Sequence, residues 1–318
     1  MSSILTITFN PAIDKSTLVP ELIAEKKLNC SSPVYEAGGG GINVSRAIKR
    51  LGENTTAIYM AGGYTGRAFT RLLTREGFDL IPIKTKESTR ENLVVKEIST
   101  QKQYRFGMPG PETSKREWQN CLAAMAGFKQ ANFMVVSGSL APGIPTDIFA
   151  EVSRIANKNK AKLIVDTSGE ALIQAAKAGV YLIKPNLREL GTLAGREVLT
   201  LEQVRIAARE VIKRFNCEVI VTSMGPKGAV LISKDLFITV LPPDVVVQST
   251  VGAGDSMLAG IVHSLALNKS LTEAVQYGVA CGTAATMNPG TELCHPADVA
   301  HLYALIRSSS SISAIHTK

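Results

Sequence analysis

The chain has 318 residues, 45% hydrophobic and 19% charged, and no apolar run approaches the roughly 18–20 residues that span a bilayer, so a globular protein is expected. Its net charge of +8 is spread along the chain without a basic tract interleaved with aromatics, which disfavours nucleic-acid binding and leaves an anionic substrate or an ordinary basic surface as explanations. The five cysteines include no CxxC pair and the N-terminus lacks a signal peptide's basic region, which predicts reduced thiols in the cytoplasm and neither a disulfide framework nor a zinc site.

Short apolar strands alternate with amphipathic helices along most of the chain. Strands are predicted at Ile4–Phe9, Ala57–Met60, Phe133–Val136, Leu163–Asp166, Tyr181–Ile183, Val219–Thr222, Ala229–Ile232 and Phe237–Val240. Helices are predicted at Val44–Leu51, Gly66–Glu76, Ser114–Phe128, Thr146–Asn157, Leu201–Phe215, Gly252–Leu267, Leu271–Met287 and Pro296–Arg307. Continuous apolar strands that alternate with helices predict an α/β fold, in which a mainly parallel sheet is covered by helices on both faces.

Two stretches interrupt this alternation. Residues 14–37 and 89–106 contain strand-like segments without helices between them, which predicts a small antiparallel flap, or lid, projecting from the sheet. We see no interdomain linker or internal repeat, so residues 1–307 are expected to form one domain. The serine-rich segment Ser308–Lys318 is expected to be a disordered tail.

Polar residues stand near the ends of several predicted strands. Asp14 comes after the first strand, Ser139 follows Phe133–Val136, and Arg90 precedes the strand-like Asn92–Val95. The carboxyl ends of parallel strands meet at one edge of a sheet, where acids contact ligand hydroxyls and arginines contact phosphate. A surface turn at Asp14 and a solvated arginine at position 90 are the alternatives.

Four consecutive glycines, Gly38–Gly41, precede Ile42, Asn43 and a predicted helix. Glycine costs folding entropy, so such a run is expected where positive φ angles or close backbone contact with a ligand are needed. The immediate start of a helix favours a ligand site over a flexible turn. The amide of Asn43, which can bind hydroxyls or phosphate, favours the same interpretation.

Two later segments each support a structural and a functional interpretation. In Lys184–Glu189, Asn186 and Glu189 form a fair helix capping box, or they orient a hydrated Mg²⁺, which keeps waters and takes few protein ligands. Thr222–Gly228 is either the turn of a hairpin or a loop that lines a nucleotide.

The most informative segment is Thr250–Met257, in which two glycines and an acid stand where a loop becomes a helix. The first N–H groups of a helix have no partner inside it and favour a negative charge. A carboxylate placed there is costly unless it has a chemical role, such as taking a proton from a nucleophilic hydroxyl. The segment therefore predicts an anion hole beside a general base, as phosphoryl transfer requires. No glycine motif matches the Walker pattern or a GxGxxG after the first strand, which disfavours a P-loop NTPase and a Rossmann dehydrogenase.

Taken together, Gly38–Asn43, Lys184–Glu189 and Thr250–Met257 resemble the motifs of the ribokinase-like sugar kinases of the phosphofructokinase B family, in the same order and at the same separations. The resemblance covers residues 1–307. It implies a ribokinase-like three-layer sandwich with a mainly parallel central sheet and a small antiparallel β lid. It also implies transfer of the γ-phosphoryl group of MgATP to the 1-hydroxyl of fructose 6-phosphate. Relatives that act on tagatose 6-phosphate or fructose 1-phosphate often carry lysine where this chain has Gly40, and these two activities are the alternative.

The resemblance implies a role for each matched residue. Asp255 would deprotonate the sugar hydroxyl, and the anion hole would consist of Gly252, Ala253 and Gly254. The sugar phosphate would be bound by Asp14, Gly39, Gly40, Gly41, Ile42, Asn43, Arg90, Arg105 and Ser139. ATP would be bound by Lys184, Asn186, Ser223, Gly225, Pro226, Lys227, Gly228 and Gln248, and Lys27 would contact nucleotide bound to a partner subunit.

Two ions and a second subunit are also implied. Glu189 would position Mg²⁺ through water, and a monovalent cation, K⁺, would be bound by Ser249, Val251, Asn288 and Gly290. Glu292 stands at the rim of this cation site where close relatives carry a basic residue. A homodimer formed through the lid would cover the exposed edges of its strands. A sensing protein that binds without catalysis is a further alternative, which the acid at position 255 disfavours.

Overall fold

The computed structural model describes residues 3–197, 200–308 and 312–314. Its strands are β1 (Ser3–Thr8), β2 (Ala12–Val19), β3 (Val34–Gly38), β4 (Thr55–Gly62), β5 (Asp79–Thr85), β6 (Arg90–Glu97), β7 (Gln103–Phe106), β8 (Ala131–Ser137), β9 (Lys162–Asp166), β10 (Val180–Ile183), β11 (Cys217–Ser223), β12 (Ala229–Ser233), β13 (Phe237–Val240) and β14 (Ile312–Ala314). Its helices are α1 (Gly40–Arg50), α2 (Gly63–Arg75), α3 (Lys115–Gly127), α4 (Ile148–Lys158), α5 (Gly169–Ala178), α6 (Leu187–Ala194), α7 (Leu201–Arg214), α8 (Ala253–Ala266), α9 (Leu271–Thr286) and α10 (Pro296–Ser308). A 3₁₀ turn, Gly225–Lys227, follows β11.

The central sheet has the strand order β14-β13-β12-β11-β10-β9-β8-β1-β4-β5. The strands from β11 to β5 run parallel, and β12, β13 and β14 extend the sheet with antiparallel pairs. The predicted, mainly parallel sheet is therefore confirmed. Parallel connections of this kind place the carboxyl ends of the strands at one edge, which is where ligands bind in open α/β sheets.

Helices cover both faces of this sheet, and β8 shows why. Its residues Met134 and Val136 point into a core formed with α3, α4, α5, α6 and α7. Its residues Phe133 and Val135 point into a second core, formed with α1, α8, α9 and α10. Because alternate side chains of the strand are buried on opposite faces, both faces need a helical layer. The predicted three-layer sandwich is confirmed.

The lid is a second, four-stranded sheet with the order β3-β2-β6-β7. The outer pairs β2–β3 and β6–β7 are antiparallel as predicted, while the central pair β2–β6 is parallel. The parallel pair arises because β2 and β6 each enter the lid from the central sheet in the same direction. As a result the lid places Asp14, Arg90 and Arg105 above the strand ends.

Besides β14, which is described below, β5, α5 and α6 are absent from the sequence-based prediction. Strand β5 contains Pro82 and has a weak apolar pattern, which an edge strand tolerates because one side of its backbone needs no partner strand. Helices α5 and α6 are only 10 and 8 residues long, too short to show a clear helical period.

The C-terminal segment differs in part from the predicted disordered tail. Ser308 ends α10, and β14 pairs antiparallel with β13. Residues 309–311 and 315–318 lie outside the described residues. Within the described ranges, no helix has both the length and the apolar character needed to cross a membrane.

Candidate active site

Charged side chains converge at the carboxyl edge of the central sheet. Asp166 ends β9, Lys184 follows β10, and Asp255 lies in the first turn of α8. Asp14 approaches from the lid. The pKa of Asp255 responds to Asp166, Lys184 and Asp14, so the four groups are electrostatic neighbours. The fold therefore gathers residues that are separated by 241 positions in the sequence (255 − 14).

Asp255 occupies the position predicted for a general base. Its Oδ2 accepts a hydrogen bond of 2.8 Å from Nδ2 of Asn43 on α1. Burial raises the pKa of Asp255, the charges of Asp166 and Asp14 add to this shift, and the resulting pKa is about 6. The hydrogen bond from Asn43 and the charge of Lys184 oppose the shift. A carboxylate with a pKa near 6 is ionised at neutral pH and still basic enough to take a proton in a transition state.

Lys184 forms a buried ion pair with Asp166, with Nζ and Oδ2 3.2 Å apart. Burial lowers the pKa of Lys184, but the Asp166, Asp255 and Glu189 charges outweigh it, so the pKa of Lys184 lies above its ordinary value. The ammonium group is therefore charged, and it lies between the acids of the sheet edge and the start of α8. Sequence analysis gave Lys184 a role in ATP binding but did not identify its partner Asp166.

The start of α8 has the geometry expected of an anion hole. Gly252 is the N-cap residue, with φ 74°, a left-handed conformation that favours glycine. A side chain there would also collide with Leu293, since a Cβ would come within 2.8 Å of its Cδ2. A Cβ on Gly254 would lie 3.5 Å from Nζ of Lys184, which shows that the ammonium group faces the helix N-terminus. Backbone N–H groups, a helix dipole and a buried cation thus point at the same space.

The glycine run is required by packing as well as by any ligand. Gly39 alone of the four has a positive φ, 121°, and it is the N-cap residue of α1. A Cβ on Gly40 would collide with Ser137 and lie 2.7 Å from the backbone nitrogen of Gly138, while Gly41 lies against the β1 backbone. The sequence interpretation of a loop shaped only for a ligand is therefore incomplete. These glycines let α1 start directly against the ends of β1 and β8.

The lid side of the cleft carries the residues predicted to bind a sugar phosphate. Asp14 accepts a hydrogen bond of 2.8 Å from Nδ2 of Asn92, and both line a small cavity with Arg105 and Thr291. Burial raises the pKa of Asp14, and the neighbouring Glu36 charge adds to this shift. The shift is opposed by the hydrogen bond from Asn92 and by the charges of Arg105 and Arg90. One acid and two arginines on one surface suit a ligand with both hydroxyls and phosphate.

Arg90 and Ser139 meet through Asn10. Arg90 donates to the backbone oxygens of Asn10 and Met108, both at 3.0 Å, and Asn10 Nδ2 donates to Ser139 Oγ at 3.0 Å. Burial lowers the pKa of Arg90, while Asp14 raises it. The predicted sugar-phosphate residues Asp14, Asn43, Arg90, Arg105 and Ser139 are thus distributed around one cleft.

Buried polar atoms without a protein partner mark the same edge. Among the described residues the buried side-chain atoms without a hydrogen-bond partner belong to Thr8, Asn10, Arg90, Thr167, Thr222 and His263. All except His263 lie within two residues of the end of a strand. Burying a polar atom without a partner is costly, so their concentration there indicates a site that a polar ligand completes.

The predicted nucleotide residues lie at or after the ends of β10 and β11, except Gln248, which lies in the loop before α8. Asn186 caps α6: its Oδ1 accepts from Glu189 N and its N–H donates to Glu189 Oε2, both at 2.9 Å. The capping-box interpretation is therefore confirmed. Ser223 ends β11, and the 3₁₀ turn Gly225–Lys227 joins it to β12, so the predicted hairpin is present. Lys27 lies exposed on the loop between β2 and β3.

The residues predicted to bind a monovalent cation form one compact loop pair. Ser249 Oγ donates to Gly290 O at 2.6 Å and accepts from Val251 N at 3.2 Å, and Asn288 Nδ2 donates to Leu293 O at 3.0 Å. Gln248 Nε2 also donates to Met287 O at 2.6 Å. These loops contain hydroxyl, amide and backbone oxygens, the ligand types that suit a hard cation. At the rim, Glu292 Oε1 lies 2.8 Å from Nε2 of His295.

Sequence reasoning missed four residues of the cleft: Asn10, Asn92, Asp166 and Thr291. Asp166 and Asn10 carried a usable signal, because each stands at the carboxyl end of a predicted strand. Asn92 and Thr291 carried none, since their roles depend on lid strands and a loop that only the tertiary fold brings together.

A buried base, a glycine-lined helix N-terminus and a polar lid over the ends of a parallel sheet define a phosphoryl-transfer enzyme of the carbohydrate kinase class. The model of the pfkB family of carbohydrate kinases matches residues 7–298. The chain belongs to this family.

Similar proteins share both sequence and fold with this chain. It is 42% identical over 307 residues to ATP-dependent 6-phosphofructokinase isozyme 2 of Escherichia coli, which covers 96% of this chain and 99% of that protein. It is 40% identical over 312 residues to the enzyme of the same name from Mycobacterium tuberculosis, covering 97% and 91% of the two chains. The crystal structure of phosphofructokinase-2 from E. coli in complex with potassium superposes with a TM-score of 0.93, at 42% identity, over 96% of this chain and 100% of that one.

Proposed function

We propose that this protein is an ATP-dependent 6-phosphofructokinase. It transfers the γ-phosphoryl group of ATP to the 1-hydroxyl of fructose 6-phosphate and gives fructose 1,6-bisphosphate and ADP. The observation that carries the proposal is the position of Asp255 at the start of α8, close to Asp14 of the lid and to the buried Lys184. The full-length similarity to two curated 6-phosphofructokinases supports it.

In the proposed reaction Asp255 takes the proton of the sugar 1-hydroxyl. The oxygen then forms a bond to the γ-phosphorus in line with the bond to the β–γ bridging oxygen, which breaks and releases ADP. The N–H groups of Gly252–Gly254 and the ammonium of Lys184 stabilise the charge on the transferred group. Asn43 orients the base through its 2.8 Å hydrogen bond. Closing the lid excludes water, which limits hydrolysis of ATP.

The sugar phosphate is proposed to lie under the lid. Asp14 and Asn43, with the backbone of Gly39–Ile42, bind its hydroxyls, and Arg90, Arg105 and Ser139 bind its phosphate. The two arginines favour a substrate that is already phosphorylated over ribose or a nucleoside, because an unphosphorylated sugar would leave their charges unpaired.

The nucleotide is proposed to bind beside α6 and the β11–β12 turn, through Lys184, Asn186, Ser223, Gly225, Pro226, Lys227, Gly228 and Gln248. Glu189 is proposed to hold Mg²⁺ through water. The carboxylate of Asp166, which is paired with Lys184, is a second ligand of the oxygen type that this ion prefers. When bound, Mg²⁺ neutralises phosphate charge. Lys27 is proposed to contact nucleotide bound to the partner subunit.

A monovalent cation, K⁺, is proposed to bind at Ser249, Val251, Asn288 and Gly290. The oxygen-rich loop pair that these residues form fits such an ion, and the potassium complex of the E. coli relative supports the choice. The cation would lie behind the anion hole, where it would help to hold the α8 N-terminus in place.

Gly40 supports fructose 6-phosphate as the sugar. Lysine, which relatives specific for the two alternative sugars often carry here, would meet the end of β8, because even a Cβ on Gly40 would lie 2.7 Å from Gly138 N. Such a residue would require the β8 end to move and would change the shape of the sugar site.

Steady-state kinetics test the assignment. With MgATP and K⁺ present, ADP release would be measured for fructose 6-phosphate, tagatose 6-phosphate, fructose 1-phosphate and ribose. We expect the highest kcat/KM with fructose 6-phosphate. A clearly higher kcat/KM with another sugar would overturn the substrate and leave the kinase assignment intact, whereas no ADP release with any sugar would overturn the kinase assignment itself.

A further inference from the structure

A side-chain contact joins the lid to the loop that follows α9. Thr291 in this loop donates a hydrogen bond from Oγ1 to Oε2 of Glu36 on lid strand β3. The other carboxylate oxygen of Glu36 lies 3.7 Å from Nη2 of Arg46 on α1. Thr291 and Glu36 are 255 positions apart in the sequence, and the sequence analysis assigned a role to neither.

At the lid end, this contact borders the proposed sugar site. Glu36 is paired with Asp14 across the β2–β3 ladder, and its charge is one of those that act on Asp14. Thr291 lines the same cavity as Asp14, Asn92 and Arg105. A ligand held by Asp14 therefore lies next to both partners of the contact.

At the loop end, the contact borders the proposed cation site and the anion hole. Gly290, directly before Thr291, accepts the hydrogen bond from Ser249, and Leu293 O accepts from both Asn288 and Arg50. A Cβ on Gly252 would lie 3.8 Å from the backbone oxygen of Thr291. The loop of residues 288–293 thus contains the predicted cation ligands Asn288 and Gly290, and Thr291 in the same loop contacts Glu36 of the lid.

We infer that Glu36 and Thr291 are positioning residues that couple binding of a monovalent cation at the 288–293 loop to binding of the sugar phosphate at the lid. The inference rests on the proposed function, which supplies both ligands. The cation orders the loop, the loop places Thr291, and Thr291 holds Glu36 and its strand in the conformation in which Asp14 faces the sugar. Because such coupling is reciprocal in free energy, the sugar phosphate must favour cation binding by the same factor.

The coupling factor is the ratio of the dissociation constants of fructose 6-phosphate in tetramethylammonium chloride and in potassium chloride at equal ionic strength. Isothermal titration calorimetry without nucleotide measures it. We expect a factor of at least about 5 for the unmodified protein, the lower end of typical couplings. Thr291→Val keeps the side-chain shape but removes the hydroxyl and should bring the factor close to 1. Thr291→Ser, which keeps the hydroxyl, should retain it.

Glu36→Ala gives an independent test from the other side of the contact. The variant should remain folded, because Arg46 keeps its 2.9 Å ion pair with Glu76. The double variant Glu36→Ala with Thr291→Val should lose no more coupling than either single variant, since both remove one contact. Thr74→Val on α2, which removes an exposed threonine hydroxyl bonded to Thr70, is the matched control and should leave the factor unchanged.

The outcomes separate this inference from the proposed function. If the unmodified protein binds fructose 6-phosphate with K⁺-dependent affinity and Thr291→Val keeps the full coupling factor, the inference alone is wrong. Additive losses in the double variant would also overturn it. If the unmodified protein binds the sugar phosphate with the same affinity in both salts, the inference is wrong, because cation binding and sugar-phosphate binding are then not coupled. If it does not bind the sugar phosphate at all, the proposed substrate fails as well.

Discussion

Asp255 has its raised pKa because three features of its surroundings act in the same direction. It is buried at the start of α8, and Asp166 and Asp14 lie close enough to repel its charge. Asn43 and Lys184 limit the shift, so the pKa reaches about 6 rather than a value at which the carboxyl would stay protonated at neutral pH. A base tuned near the working pH combines correct ionisation with useful proton affinity.

Replacing Asp255 with Asn should remove the proposed general base. We expect turnover to fall by at least roughly 10²-fold, because the sugar hydroxyl loses its proton acceptor, while fructose 6-phosphate affinity changes little. Turnover by the coupled assay and sugar binding by calorimetry measure the two effects. Asp235→Asn, on an exposed turn between β12 and β13, is the control. Near-normal turnover in the Asp255 variant would remove the general-base assignment.

The thermal stability of Asp255→Asn shows whether this variant folds correctly. The pKa of Asp255 predicts whether the variant should be more or less stable than the unmodified protein. The pKa of Asp255 is about 6 in the folded protein and 3.8 in the unfolded chain, so folding favours the protonated carboxyl. The free energy of unfolding therefore falls as the pH rises from 3.8 to 6, and this loss persists at higher pH. Asp255→Asn should therefore be at least as stable as the unmodified protein at pH 8. A lower melting temperature there would indicate structural damage.

The raised pKa also predicts the acid limb of the pH profile. Because Asp255 must be ionised to accept a proton, kcat/KM should fall about tenfold per pH unit below an apparent pKa near 6 and level off above it. Initial rates between pH 5 and 8 measure this. The residual activity of Asp255→Asn should lack the limb, and a profile of the unmodified protein that stays flat down to pH 5 would contradict the assignment.

At the scale of elements, the cleft depends on helices that begin very close to the ends of strands. α1 starts against β1 and β8 because Gly40 and Gly41 carry no side chain, and α8 starts at Gly252 in a left-handed turn against Leu293. Both helix N-termini are thereby directed at the cleft. Stability and site geometry are consequently determined by the same residues.

Gly40→Ala should destabilise the protein by about 1–3 kcal/mol, the usual cost of an overpacked position, because its Cβ would collide with Ser137 and Gly138. Urea unfolding measures the change. Gly127→Ala, at the end of α3 where a Cβ meets nothing within 4 Å, is the matched control and should be neutral or slightly stabilising. Equal effects of the two substitutions would show that the close approach of α1 does not matter.

Asn186→Ala separates the structural from the proposed functional role of the α6 capping box. Loss of the cap should cost about 1 kcal/mol of stability without ligands. Ser270→Ala removes an equivalent capping box on α9, away from the cleft, and should cost a similar amount. If Asn186 also contacts MgATP, the KM for ATP rises in the first variant only. An unchanged KM for ATP would restrict Asn186 to its capping role.

At the scale of the whole molecule, the lid is a sheet with open edges and exposed apolar side chains. Val34, Tyr35 and Leu18 are 57%, 47% and 44% exposed on its first two strands. Exposed apolar groups beside unpaired strand edges are typical of an interaction surface. We propose that a second copy of this chain covers the lid, which would also bring Lys27 near the partner's nucleotide.

A charge on the lid should weaken this dimer. Val34→Asp would bury a carboxylate in the proposed interface, and we expect the dimer dissociation constant to rise at least about tenfold. Sedimentation equilibrium over a range of protein concentrations measures it. Leu305→Asp, at an exposed apolar position on α10, is the control and should leave the association unchanged. An unaltered constant for Val34→Asp would place the interface elsewhere.

The sequence by itself determined the class of fold, and it also predicts the central chemistry of the site. Continuous apolar strands that alternate with helices predict a parallel sheet covered on both faces, because strand faces buried on both sides need apolar residues throughout. The segment Thr250–Met257 predicts the base and the anion hole, because helix starts and glycine are local features that the chain encodes within a few residues. Asp14 and the glycine run Gly38–Gly41 are predicted in the same way, because one follows a predicted strand and the other precedes a predicted helix.

Only the tertiary structure decided how distant parts of the chain meet. The partner of Lys184, the parallel pairing of β2 with β6, and the contact between Glu36 and Thr291 all join segments whose separation in sequence carries no local signal. The raised pKa of Asp255 likewise depends on burial and on two other acids, Asp166 and Asp14, and is limited by Lys184, all brought together by the fold. The physical reason is that electrostatics and burial act through space, whereas periodicity and capping act along the chain.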